Sequence, residues 1–233
     1  MAVNYLFSTI SGGGLLKKVD LKGFKGFTLA EVLITLVIIG VIAAMTIPTL
    51  INKTNKQEYV SRLKKAYSTM AQATRKIIAE EGNPRADVGG WATSGEAVYN
   101  MYKKYLSNVK ECGLNTSGCF DGTYKRMNGG QGDYYSGRRT FVIADGMEIS
   151  IKDDDLWADC SRNTNGTLNT CATILVDVNG AKGPNTIGQD AFAFNLREDG
   201  LVPAGSDNQS HCSTAYNGWA CAGKVLKEGA INY

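Results

Sequence analysis

Residues 27–47 read FTLAEVLITLVIIGVIAAMTI, an apolar run with one charge, Glu31. Wound as a helix, a run of this length rises about 30 Å, the thickness of a bilayer's hydrocarbon core. The mean hydropathy of −0.17 conceals it, because the remaining chain is polar enough to dilute the average. Ahead of the run sits LLKKVDLKGFKG, with Lys17, Lys18, Lys22 and Lys25 against Asp20 alone. Lysines preceding an apolar span hold that side in the cytoplasm, so everything past the span is expected outside. A secretory signal would have a shorter apolar core and a small-residue cleavage site on its far side, whereas here Ala43 and Ala44 are followed by more apolar residues. A plain signal anchor fits the length but leaves Glu31 unexplained. A carboxylate inside such a helix costs several kcal/mol without a partner, which makes Glu31 a functional candidate; the bland alternative is an interfacial residue that snorkels to water.

The segment Lys25-Gly26-Phe27-Thr28-Leu29-Ala30-Glu31 with the apolar run behind it resembles the cleavage-and-methylation segment of type IV pilins and type II secretion pseudopilins. The resemblance implies that a prepilin peptidase and N-methyltransferase cuts between Gly26 and Phe27 and methylates the new Phe27 amine. Glu31 would then neutralise the Phe27 amine of a neighbouring subunit. Opposite charges attract strongly in a low-dielectric bundle where either alone is penalised. Pro48 stands where the family commonly has a helix-kinking proline. The implied partners are other pilin or pseudopilin subunits, an inner-membrane assembly platform driven by a cytoplasmic ATPase, and membrane lipid before assembly. At 26 residues, with an apolar, glycine-rich start, the leader departs from the family by its length.

Past Pro48 the helical pattern continues. Tyr59, Leu63, Ala66, Tyr67, Met70, Ala73, Thr74 and Ile77 recur at three- and four-residue spacing, which makes one apolar face. Gly82-Asn83-Pro84 ends it. The basic residues between Lys53 and Lys76 alternate with Glu58, Glu80 and Glu81 downstream and lack an aromatic platform, so they read as a solvated face and nucleic acid is not an expected partner. Four segments follow: leader 1–26, transmembrane and polymerisation helix 27–47, amphipathic continuation 48–82, and exported head 83–233. A short helix is expected over 95–109. Strands are expected over 140–144 and 147–151, turned by Asp145-Gly146, then over 172–178 and 191–197, with Asp199-Gly200 turning into Leu201-Val202-Pro203. The expected fold class is α+β and pilin-like: a long N-terminal α-helix packed on an antiparallel β-sheet head.

Six cysteines, Cys112, Cys119, Cys160, Cys171, Cys212 and Cys221, all fall in the head, none in a CxxC pair. An even count in an exported domain reads as disulfides. Fifteen pairings are open, and sequence neighbours (112–119, 160–171, 212–221) are the favoured set. Zinc is the weaker reading, with His211 the single histidine. The loop holding Asp177, Asn179 and Asn185, followed by Asp190, resembles the glycine-rich calcium loop of major pseudopilins. That resemblance makes these four residues candidate calcium ligands, although Phe192 stands where a second acidic ligand is usual. A structural Asn/Asp/Gly turn is the competing reading. Lys152-Asp153-Asp154-Asp155 reads as a solvated turn after the hairpin. The three tryptophans and eleven tyrosines read mostly as core. No P-loop, dinucleotide, nucleophile-elbow or zinc-protease motif is present, so no enzymatic activity is expected. The expected role is a structural filament subunit; the alternative is a membrane-anchored exported binding module or enzyme that uses the leader only for targeting.

Overall fold

The computed structural model describes residues 26–114, 118–120, 124–131 and 137–233, so the four leader lysines lie outside the described residues. Its first element is the 53-residue helix α1 (Leu29–Glu81), which runs through Pro48 without interruption. A proline in a helix interior has no amide to give the carbonyl four residues back, here that of Ala44. The chain divides into two compact units, Met1–Pro48 and Thr49–Tyr233.

In the first unit no residue of α1 is buried. An 18-residue window has a mean hydropathy of 2.5 with none of it buried, long and apolar enough to cross a membrane. Leu33, Ile38 and Ile42 are each more than half exposed.

In the second unit α1 buries Tyr59, Val60, Leu63, Ala66, Met70, Ala71, Ala73, Thr74 and Ile77, the face that the spacing predicts with Val60 and Ala71 added. Tyr67 lies at its margin, half-buried and stacked on Phe194 with centroids 5.9 Å apart. Removing this face from water, at about 25 cal/mol per Å² of apolar surface, is what holds helix to head. The helix stops at Gly82, whose φ of +87° a residue with a Cβ would adopt only with strain. A 3₁₀ turn (Ala86–Val88) leads to α2 (Gly95–Tyr105), capped at its start by Ser94, whose hydroxyl accepts from the Ala97 amide. Tyr102 of α2 is fully buried and meets Thr74 of α1, hydroxyl to hydroxyl, at 2.6 Å.

Strands β1 (Asn108–Leu114), β2 (Arg138–Ile143), β3 (Glu148–Leu156), β6 (Ala172–Asp177), β7 (Ala191–Arg197) and β8 (Gly200–Pro203) form one antiparallel sheet in that order. A separate hairpin, β4 (Arg162–Thr164) and β5 (Thr167–Thr170), is inserted between β3 and β6. Without that insertion the sheet is a simple meander in chain order. Every residue of β6 is buried because both sheet faces are covered. Ile174 and Val176 join the core under α1, while Leu175 joins a smaller cluster with Phe120, Tyr124, Ile187 and Ala191. Helix α3 (Ala222–Glu228) closes the chain, burying Val225. Disulfides join Cys112 to Cys119, Cys160 to Cys171, and Cys212 to Cys221.

Two local expectations are corrected. The helix expected over 95–109 ends at Tyr105, and Asn108 already belongs to β1. The segment from Lys152 to Asp155 is not a turn: β3 runs through it to Leu156, which pairs with Ala172 across a register shift. Pairing to β2 ends at Lys152 and pairing to β6 lapses between Ile151 and Leu156, so residues 153–155 bulge between the two, and Asp154 stays in water.

Candidate functional site

The start of α1 is built by a reciprocal pair of bonds. The Glu31 amide donates to the Thr28 hydroxyl at 3.2 Å, and the Glu31 carboxylate accepts from the Thr28 amide at 2.8 Å and its hydroxyl at 2.8 Å. This is a capping box, which satisfies two of the amides that every helix leaves free at its first turn. Among the described residues no cation pairs with Glu31. Phe27 precedes the cap, 87% exposed, and Gly26 stands before it with open space where a side chain would be. Thr-x-x-Glu is a sequence signature of this cap, and the sequence reasoning missed it.

The second candidate lies where β6 leaves the sheet and the chain loops back to β7. Asp177 and Asp190 are both fully buried there. Asp177 accepts from the Asn179 amide at 3.0 Å and from the Tyr124 hydroxyl at 2.5 Å. Asp190 accepts from the Asn185 amide at 2.7 Å and the Thr186 amide at 2.6 Å, so it ties the loop around itself. The Asn179 side-chain nitrogen donates to the carbonyls of Lys182 and Gly183. The structure therefore brings together all four residues of the sequence-derived set. Glu148, cross-strand partner of Asp177, and Tyr124 complete the surroundings; neither carries a signal in the sequence, since only strand register and folding bring them here.

Electrostatics make this loop costly as it stands. Burial, and then the neighbouring Asp190, push the Asp177 carboxyl up to about 8. Burial also raises Asp190, against the lowering effect of the Thr186 and Asn185 amides. Tyr124 is raised by burial and by the Asp177 charge. The side-chain oxygens of Asn179 and Asn185 are buried without a hydrogen-bond partner. Two buried carboxylates beside two unpartnered amide oxygens form an all-oxygen donor set of the kind a hard cation takes. Among the described residues no three histidine, cysteine or acidic side chains are arranged to hold a metal ion, so amide and carbonyl oxygens would have to complete such a shell.

The family model for the prokaryotic N-terminal methylation motif matches residues 21–47. The chain carries a prepilin-type signal. The matched span contains Gly26, Phe27, Thr28 and Glu31, and ends at the last residue before Pro48. No curated protein and no solved structure matches the chain. Motif and head architecture together are those of a pilin-like protein with a prepilin-type processing signal. The motif and the apolar helix fit a membrane-anchored, exported protein.

Proposed function

We propose that the chain is a structural subunit of a type IV pilus-like or type II secretion pseudopilus filament, with no catalytic role. The peptidase removes residues 1–26, the Phe27 amine is methylated, and the subunit waits in the inner membrane with its head exported. Assembly packs the apolar half of α1 against the same half of neighbouring subunits. The observation that carries this reading is an apolar half-helix, unburied throughout, with one carboxylate four residues past the cleavage point. Lipid satisfies the leucines and isoleucines of such a helix but not Glu31. A fibre core that supplies a Phe27 amine satisfies both. Mass spectrometry of the mature N-terminus tests cleavage and methylation together. A mature chain that begins elsewhere than a methylated Phe27 would exclude the reading.

The buried oxygens of Asn179 and Asn185 favour a second statement about the head, that Asp177, Asn179, Asn185 and Asp190 hold calcium. A divalent cation there would offset the repulsion between the two aspartates. Calorimetry with calcium on the wild-type protein and on Asp190→Ala tests it. The expected result is a calcium-dependent rise in melting temperature in the first and none in the second. No rise in the wild type would retire the site.

A further inference from the structure

The assembly helix and the Asp177–Asp190 ligand set leave unused a cleft of about 470 Å³ in the head, one wall of which, at Gly218, packs against Ile187 and Gly188 of the candidate calcium loop. One wall is the β4–β5 hairpin with its turn at Asn165-Gly166; the other is the segment from Asp207 to Ala220. The cleft is the size of a small-ligand site. Its shape is fixed by the fold. The amides of Asp207 and Asn208 both donate to the Gly166 carbonyl, at 3.2 and 3.0 Å, and the Asp207 carboxylate accepts from the Leu168 amide at 2.8 Å. The Cys212–Cys221 bridge staples the second wall. Gly166 has φ +65°, and a Cβ there would collide with the Asn208 carbonyl, so the two walls meet in backbone contact.

The lining chemistry narrows the ligand. Among the described residues no lysine or arginine lines the cleft, which argues against phosphate, sulfate or an acidic peptide. Leu168 and Tyr216 stand 49% and 43% exposed and present apolar surface to the cleft. Trp219 lies behind them, with the Arg138 guanidinium over its ring at 5.7 Å, and His211 sits edge-on to Tyr216 at 4.7 Å. Around these rings lie asparagines whose oxygens are already committed. Asn163 accepts from the Asn169 amide, Asn208 from Ser210 and Asn217 from Trp219. Their amide nitrogens have no partner among the described residues. All three side chains are exposed, so these are oriented donors that water serves until a ligand replaces it.

We propose that this cleft binds an uncharged saccharide. A pyranose presents an apolar C–H face that stacks on an aromatic ring and a rim of hydroxyls that both accept and donate. Tyr216 would take the face, and the amide nitrogens of Asn163, Asn208 and Asn217 the hydroxyl oxygens. Because the donors are held in place before binding, little ordering entropy opposes it.

The test uses the full chain in a detergent without a sugar headgroup, since a maltoside would compete. Methyl α-mannoside, methyl β-galactoside and N,N′-diacetylchitobiose are titrated while tryptophan fluorescence is read. The two hexosides stand for neutral surface glycans and the third for N-acetylated wall glycans, so the arm that responds names the source. The expected result is saturable binding of at least one probe, weakened about tenfold or more in Tyr216→Ala and retained in Tyr216→Phe, with the melting temperature of both variants unchanged. Absence of saturable binding by all three probes would overturn the proposal. So would equal binding by Tyr216→Ala and the wild type.

Discussion

Glu31 has two jobs that a single substitution confuses. In the subunit it closes a capping box on Thr28, and in the proposed filament it must also face a neighbour's amine. Glutamine can serve in a capping box but carries no charge. Glu31→Gln should therefore leave the helix start intact yet block filament incorporation in a cell lacking the wild-type copy, as Glu31→Ala should too. If Glu31→Gln assembles normally while Glu31→Ala does not, the cap and not the charge is what assembly needs. At the other site, Asp177 gives a pH dependence of defined sign. Its carboxyl titrates at about 8 in the fold and at about 3.9 in an unfolded chain. The fold thus holds a proton that the unfolded chain has lost, and its contribution is complete below pH about 4 and disappears as pH rises towards 8. Asp190, Glu148, Tyr124 and Tyr59 surround the group, and none supplies positive charge. In chelator-treated buffer the melting temperature should fall between pH 5 and 8 (about the window between the two titrations), and Asp177→Asn should flatten that fall. A flat wild-type profile would contradict the assigned burial of the charge.

Among the elements, α1 makes its own case through Leu63, fully buried at the centre of the face that meets the sheet. Leu63→Ala should cost about 2–5 kcal/mol, read by denaturant unfolding, while the exposed Ser61→Ala on the same turn should cost almost nothing. Equal effects would mean that α1 is not clamped on the head as described. This helix, with β2, β3, β6 and β7, was legible in the sequence because each buries one face or both, and burial writes a period into the residue types. The Asp145-Gly146 hairpin turn was legible for the same local reason, Gly146 taking φ +74°. What escaped was structure held by pairing alone. β1 reads NVKECGL, with two register irregularities against β2 that destroy any alternation. The β4–β5 hairpin is three and four residues of mostly polar side chains, braced by a disulfide and by loop contacts. The aspartates of 153–155 look like a turn to any rule based on polarity, yet β3 stays extended through them because Ile151 and Leu156 on either side pair with β6. The calcium candidates were likewise legible as residue types, whereas their neighbours Tyr124 and Glu148 arrive from distant segments.

For the whole molecule, charge and burial each divide the chain, the first after Gly26 and the second at Tyr59. The leader's four lysines and one aspartate account for the entire net charge of +3, so processing after Gly26 leaves a neutral set of side chains. No residue from Gly26 to Glu58 is buried in the structure, and Tyr59 is the first to enter the core. The apolar half of α1 therefore contributes nothing to the stability of the head, and its own surface is satisfied only by lipid or by other helices. A fragment covering Thr49–Tyr233, the second compact unit, should fold by itself. It keeps every core residue and all three disulfides, and Thr49 can serve as a new helix cap. Its cooperative melt should lie within about 2 °C of the full chain in detergent, because a change that removes no buried contact shifts the midpoint little. By sedimentation it should be monomeric without detergent, whereas the full chain should associate when detergent is withdrawn. A fragment that melts broadly, or one that self-associates as the full chain does, would place part of the core or of the assembly surface in the head, contrary to the division of labour along α1.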